Sequence, residues 1–92
     1  MAPEKTRQER IIEGIRILKK LREVGVHETD SGITQTKALI DEWIAGGETV
    51  QGLIEFPRYG RRLELLLPRK GVATAAFKVV DEETRKALLR HN

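Results

Sequence analysis

Two Pro-x-x-Gly tetrapeptides, at 57–60 and 68–71, constrain the fold of this chain more than any other feature. They divide residues 50–80 into three short apolar segments. Glycine supplies the positive φ that a hairpin turn needs, and proline is a favoured turn residue. The pattern therefore predicts three β-strands in an antiparallel meander, with the most apolar segment, 62–67, as the central strand.

Alternation of side chains along a strand predicts the length of each turn. The apolar positions are even-numbered in the first segment and odd-numbered in the other two. Since the apolar sets must share one face, the first loop has an even number of residues and the second an odd number. The first loop is then either 59–60 or 58–61, and the second is 69–71.

This register also predicts the cross-strand neighbours. On the core face the pairs are Leu67–Ala73, Leu65–Ala75 and Leu63–Phe77. On the outer face they are Leu53–Leu66, Glu55–Glu64 and Arg62–Lys78.

The outer face is too apolar for a purely solvated surface, because Leu53, Leu66 and Val72 all lie on it. A helix of this chain, a second copy or another protein would cover it. These three residues are therefore candidates for partner binding.

Two helices are predicted before the strands. Thr6 and Glu9 have the spacing of a capping box, which predicts a helix over 7–24. Its apolar stripe includes Ile11, Ile15 and Leu18, and is widened by Ile12, Ile17, Leu21 and Val24. Gly14 lies in that stripe and indicates a close approach by another backbone. A second helix is predicted over 34–45, with Trp43 as a core anchor.

A short third helix is predicted over 81–92, where acids precede bases in the order that suits the helix dipole. The whole chain of 92 residues is then one α+β domain of order ααβββα, with the first two helices on the sheet and residues 1–5 disordered. Cysteine is absent, and we find neither a membrane span nor a signal peptide in the sequence, so we expect a cytoplasmic protein.

Charge favours a binding function. Residues 27–49 hold five acids and one lysine, whereas residues 50–80 hold six bases and two acids. A first hypothesis is nucleic-acid binding through the first hairpin tip, where arginines flank a tyrosine ring, with a track along the first helix. The candidate residues are Arg58, Tyr59, Arg61, Arg62, Lys19, Lys20 and Arg22.

A second hypothesis is a protein-interaction module, such as an adaptor, inhibitor or regulator of phage or plasmid type. It would act through the outer sheet face, through an exposed strand edge or as a homodimer. The two hypotheses are compatible, because a dimer presents two basic tips.

The run 39–43 followed by Gly60, Arg61 and Arg62 resembles the last part of a winged-helix domain, over 34–71. That resemblance implies a recognition helix and a DNA-binding wing. Asp41 and Glu42 depart from it, since both face outward on the presumed recognition helix and repel phosphates. We assign the chain to no family on this basis.

Catalysis is not expected. The sequence lacks a phosphate-binding glycine loop, a nucleophile elbow and a zinc-protease motif. Its one serine, Ser31, is distant in sequence from His91, and a loop with His27 and two carboxylates is a weak metal signal. We therefore expect no enzyme activity, no metal and no cofactor.

Overall fold

A computed structural model describes residues 4–69 and 74–80 of the chain. The described elements are α1 (Arg7–Glu23), α2 (Ser31–Gly46), β1 (Val50–Phe56), β2 (Arg61–Leu67) and β3 (Ala76–Val80). The strands form one antiparallel sheet in the order β1-β2-β3. The predicted α+β arrangement of two helices and a three-stranded meander is confirmed. The third helix predicted over 81–92 lies outside the described residues.

The predicted capping box begins α1. The Glu9 amide donates to Thr6 Oγ1 at 3.1 Å, and the Thr6 amide donates to Glu9 Oε1 at 3.2 Å. The backbone hydrogen bond from Thr6 lowers the pKa of the Glu9 carboxyl, because it favours the charged form. The helix ends one residue before the predicted boundary, and Gly25 follows its C-cap with a positive φ.

The buried face of α1 is one side of the predicted stripe. Ile15 is 62% exposed, whereas Gly14, Ile17 and Leu21 are buried. Gly14 faces α2, where a Cβ added to it would lie 2.6 Å from Ile40 Cγ2. The close approach is therefore made by a side chain of α2, and the helix is turned so that its glycine meets that side chain.

A buried ion pair lies beside this contact. Lys5 Nζ is 2.8 Å from Glu13 Oε2, and both side chains are almost fully buried. The Lys5 amide also donates to the Arg69 carbonyl at 3.1 Å. We expected residues 1–5 to be disordered; residues 1–3 lie outside the described part, but Lys5 is held on the body of the protein.

The second helix begins three residues earlier than predicted, because Asp30 caps it. Asp30 Oδ1 accepts from the Gly32 amide at 2.9 Å. At the other end Gly47 adopts the left-handed conformation. Trp43 is fully buried, and its indole Nε1 donates to the Pro68 carbonyl at 3.1 Å. The prediction of Trp43 as a core anchor is confirmed.

The sheet register differs from the predicted one by two residues in both hairpins. Leu53 lies opposite Glu64, and Glu55 lies opposite Arg62. The first loop is therefore 57–60, a four-residue loop displaced by one position from the predicted one. The predicted register placed Glu55 opposite Glu64, and like charges in directly opposed positions are destabilising, whereas the observed register pairs Glu55 with Arg62.

The second hairpin also replaces a predicted like-charge pair by an opposite-charge pair. Lys78 lies opposite Glu64 instead of Arg62, and Lys78 Nζ is 3.9 Å from Glu64 Oε1. On the core face Leu65 lies opposite Phe77. A shift of two residues leaves each side chain on its predicted face, so the core set is retained. Most of the predicted second loop lies outside the described residues.

The core lies between the two helices and one face of the sheet, with α2 packed mainly on β1. Its buried hydrophobic residues are Ile17, Leu21, Val26, Ile33, Ile40, Trp43, Ile54, Phe56, Leu63, Leu65 and Leu67. The opposite face of the sheet is not covered by either helix.

Candidate nucleic-acid interface

The tip of the first hairpin is attached to the start of α2 by one carboxylate. Asp30 is 1% exposed, and its two oxygens accept from two different segments. Oδ1 accepts from Gly32, and Oδ2 accepts from the Tyr59 amide at 2.9 Å. The same residue therefore caps a helix and fixes the position of the loop 57–60.

A close contact beneath the tip adds to this attachment. A Cβ on Gly32 would overlap the ring of Phe56, the last residue of β1. Only glycine lets the first turn of α2 lie directly on that ring. The tip is therefore held by a hydrogen bond at Tyr59 and by packing at Phe56.

Two arginine side chains are oriented by their neighbours at this tip. Arg58 Nη1 donates to Thr29 Oγ1, a hydroxyl in the loop between the helices. The Arg61 guanidinium carbon lies 5.5 Å from the centre of the Tyr59 ring, within the range of a cation–π contact. Both arginines are exposed, so their cations face solvent in defined positions.

The Tyr59 ring is partly buried against the core, and Arg61 lies over it. A base that stacked on this ring would compete with the arginine. The structure thus places Tyr59 as a support for Arg61 at the tip.

A shallow groove of about 340 Å³ continues from the tip between the two helices. Its lining residues are Leu18, Arg22, Glu28, Thr29, Ile33 and Lys37. Thr29 belongs both to this groove and to the Arg58 hydrogen bond, so the groove adjoins the tip. We call Arg22, Lys37, Arg58 and Arg61 the basic end of the molecule.

Lys37 is not among the residues predicted from the sequence, because it is the one base in an acidic segment, 27–49. Lys37 follows Ile33 by one helical turn, and Ile33 is a core residue. That spacing places Lys37 at the edge of the buried face of α2, beside α1.

The other three predicted contact residues do not line the groove between the helices. Arg62 lines a separate groove with Arg61 at the tip. Arg62 is on the outer sheet face, where its Nη2 is 3.6 Å from Glu55 Oε1. Lys20 lines a second groove, between α1 and β3, and Lys19 lines neither groove. Four of the seven predicted residues, Arg22, Arg58, Tyr59 and Arg61, are therefore brought together at one end.

The predicted partner-binding residues Leu53 and Leu66 are 57% and 39% exposed on the outer face. They are diagonal neighbours in the observed register, because Leu53 lies opposite Glu64. Charged pairs surround them, including Glu64 with Lys78. Val72 lies outside the described residues.

Within residues 4–69 and 74–80, no group of three histidine, aspartate or glutamate side chains is arranged to hold a metal ion. No helix in the same ranges has the length and apolar character needed to cross a membrane.

Comparison of the chain with models of protein families, with curated proteins and with solved structures found no match. Function is therefore proposed below from the geometry and charge of this molecule.

Proposed function

We propose that the chain is a non-enzymatic module that binds nucleic acid through its basic end. Arg58 and Arg61 make the central phosphate contacts, and Arg22 and Lys37 extend the contact along the groove between the helices. The observation that carries the proposal is the attachment of the tip by Asp30, which holds two exposed arginines in defined positions.

Arginine is well suited to phosphate because its planar guanidinium donates two parallel hydrogen bonds. Fixing the arginines before binding lowers the ordering cost of forming those bonds. The Thr29 hydroxyl and the Tyr59 ring provide that support without neutralising either charge.

Phosphate contacts position a protein on nucleic acid but carry no sequence information. Arg61 already covers the Tyr59 ring, so this ring is not available to stack on bases. We therefore propose backbone-directed binding with weak sequence preference.

The test is a fluorescence-anisotropy titration with generic duplex DNA over a range of salt concentrations. For duplex DNA the slope of log affinity against log salt changes by about 0.9 for each phosphate contact. The double variant Arg58→Ala/Arg61→Ala should weaken binding and make the slope shallower by about 1.8.

The control is Arg7→Ala/Arg16→Ala, which removes the same charge from exposed positions of α1 outside the basic end. It should retain most of the affinity and the wild-type slope. Equal losses in the two double variants, or no wild-type binding at low salt, would refute the proposal.

A second candidate function is self-association through the outer sheet face, favoured by the exposure of Leu53 and Leu66. Light scattering should then show a dimer at high protein concentration. Leu53→Glu/Leu66→Glu should remain monomeric, whereas Ile15→Glu, a change at an equally exposed residue of α1, should still dimerise. A wild-type protein that stays monomeric at every concentration would exclude this candidate.

A further inference from the structure

A second groove, of about 430 Å³, runs between α1 and β3 on another side of the molecule. The residues that line it are Arg16, Ile17, Lys20, Glu23, Val24, Thr74, Ala75, Ala76 and Phe77. Consecutive residues of an extended chain point to opposite faces of a sheet. A groove that touches all four residues of 74–77 therefore follows the backbone of the sheet edge.

The direction of the edge backbone follows from one hydrogen bond. The Ala75 amide donates to Glu13 Oε1 of α1 at 2.7 Å, so it points away from β2. In an extended strand the amide and carbonyl groups of every second residue point to the same side. The backbone groups of Phe77 and Val79 therefore point away from β2 as well.

No described strand lies beyond β3, which is the last strand in the sheet order. Val79 is 44% exposed, and Phe77 is only partly buried although it lies on the core face. The helices cover β1 and β2 more completely than β3. This edge therefore combines directed backbone groups with incompletely covered apolar side chains.

We propose that this groove binds an extended acidic segment of a partner protein, which adds to the sheet as a fourth strand beside β3. Main-chain hydrogen bonds to Phe77 and Val79 would supply affinity, as in other cases of strand addition. The segment would lie beside the apolar side chains of Val24 and Phe77.

Charge determines the chemistry of the segment. Arg16 and Lys20 are exposed on the α1 wall of the groove, against the single carboxylate of Glu23. Among the residues that line the groove, α1 thus presents more positive than negative charge to the proposed fourth strand. Every second side chain of an added strand faces α1, so acidic residues at alternate positions would meet Arg16 and Lys20.

The probe for the test is a fluorescein-labelled synthetic peptide of alternating glutamate and valine, titrated into the full chain. Lys20→Glu should weaken binding about fivefold, because it replaces an attraction by a repulsion. Lys19→Glu makes the same charge change on a neighbouring residue that does not line the groove, and its affinity should stay within about twofold of wild type.

Two control peptides separate strand addition from simple charge attraction. A lysine–valine peptide should bind much more weakly. The glutamate–valine peptide with alternate backbone nitrogens methylated keeps its charge but loses its hydrogen-bond donors, and it too should bind much more weakly. On binding of the unmodified peptide, the amides of Phe77 and Val79 should become protected from hydrogen exchange.

Three results would overturn the proposal. They are equal losses in the two lysine variants, undiminished binding of the methylated peptide, and absence of protection at both edge amides. Protection of those amides in concentrated protein without peptide would identify the occupant as a second copy of this chain, and would also overturn the assignment to a partner segment.

Discussion

Replacing Asp30 tests how the hairpin tip is held, because its buried carboxylate accepts from both Gly32 and Tyr59. In Asp30→Ala the loss of the helix cap costs about 1 kcal/mol. The Tyr59 amide is left without its acceptor in a partly buried position, which costs about 1–3 kcal/mol more. We expect the free energy of unfolding to fall by about 2–4 kcal/mol, which corresponds to a decrease in Tm of about 10–20 °C for a domain of this size.

Asp30→Ser separates the two contributions. A serine hydroxyl can still cap α2 through the Gly32 amide, but serine has no second oxygen at the position of Oδ2, which accepts from Tyr59. The loss should then be only the cost of the Tyr59 amide, about 1–3 kcal/mol. The comparison is Thr6→Ala, which removes an exposed cap from α1 and should cost about 1 kcal/mol.

The assay is urea denaturation followed by circular dichroism, with hydrogen exchange of the Tyr59 amide as a local measurement. Exchange at Tyr59 should accelerate in Asp30→Ser while the amides of α2 keep their protection. The reasoning is refuted if Asp30→Ala is no more destabilising than Thr6→Ala, because the second hydrogen bond would then contribute nothing.

Two glycine substitutions in helices should change stability in opposite directions in the same urea assay. Gly14→Ala gains up to about 1 kcal/mol of helix propensity, but its Cβ meets Ile40 at 2.6 Å. Overpacking costs about 1–3 kcal/mol, so we expect a net loss of about 1 kcal/mol, and a gain would contradict the close contact. Gly46→Ala has no atom within 4 Å of the new Cβ and should stabilise by up to about 1 kcal/mol; a loss there would contradict the open space.

Much of the fold could be predicted from local patterns. The capping box of Thr6, the helix stop near Gly25 and the two Pro-x-x-Gly tetrapeptides all act through neighbouring residues, so they are readable along the chain. The face of each strand residue was also predictable, because alternation depends only on parity. The earlier start of α2 was missed, although an aspartate before a helix is a known capping signal.

The candidate site was less predictable, because its parts come from distant segments. The sequence indicated an arginine-rich tip and placed Arg62 on the outer sheet face, but it did not indicate that Arg22 and Lys37 lie beside the tip. The role of Asp30 depends on Tyr59, which is 29 residues away in the chain.

The sequence by itself determined the order of the described elements, the approximate position of the first turn and the parity of the core face, because these depend on local backbone geometry. Only the tertiary structure decided the register, which part of the predicted α1 stripe is buried, and the composition of the basic end. These depend on which distant groups meet: Glu55 with Arg62, Gly14 with Ile40, and Asp30 with Tyr59. Such contacts are selected by packing and charge in three dimensions, so they cannot be predicted from periodicity along the chain.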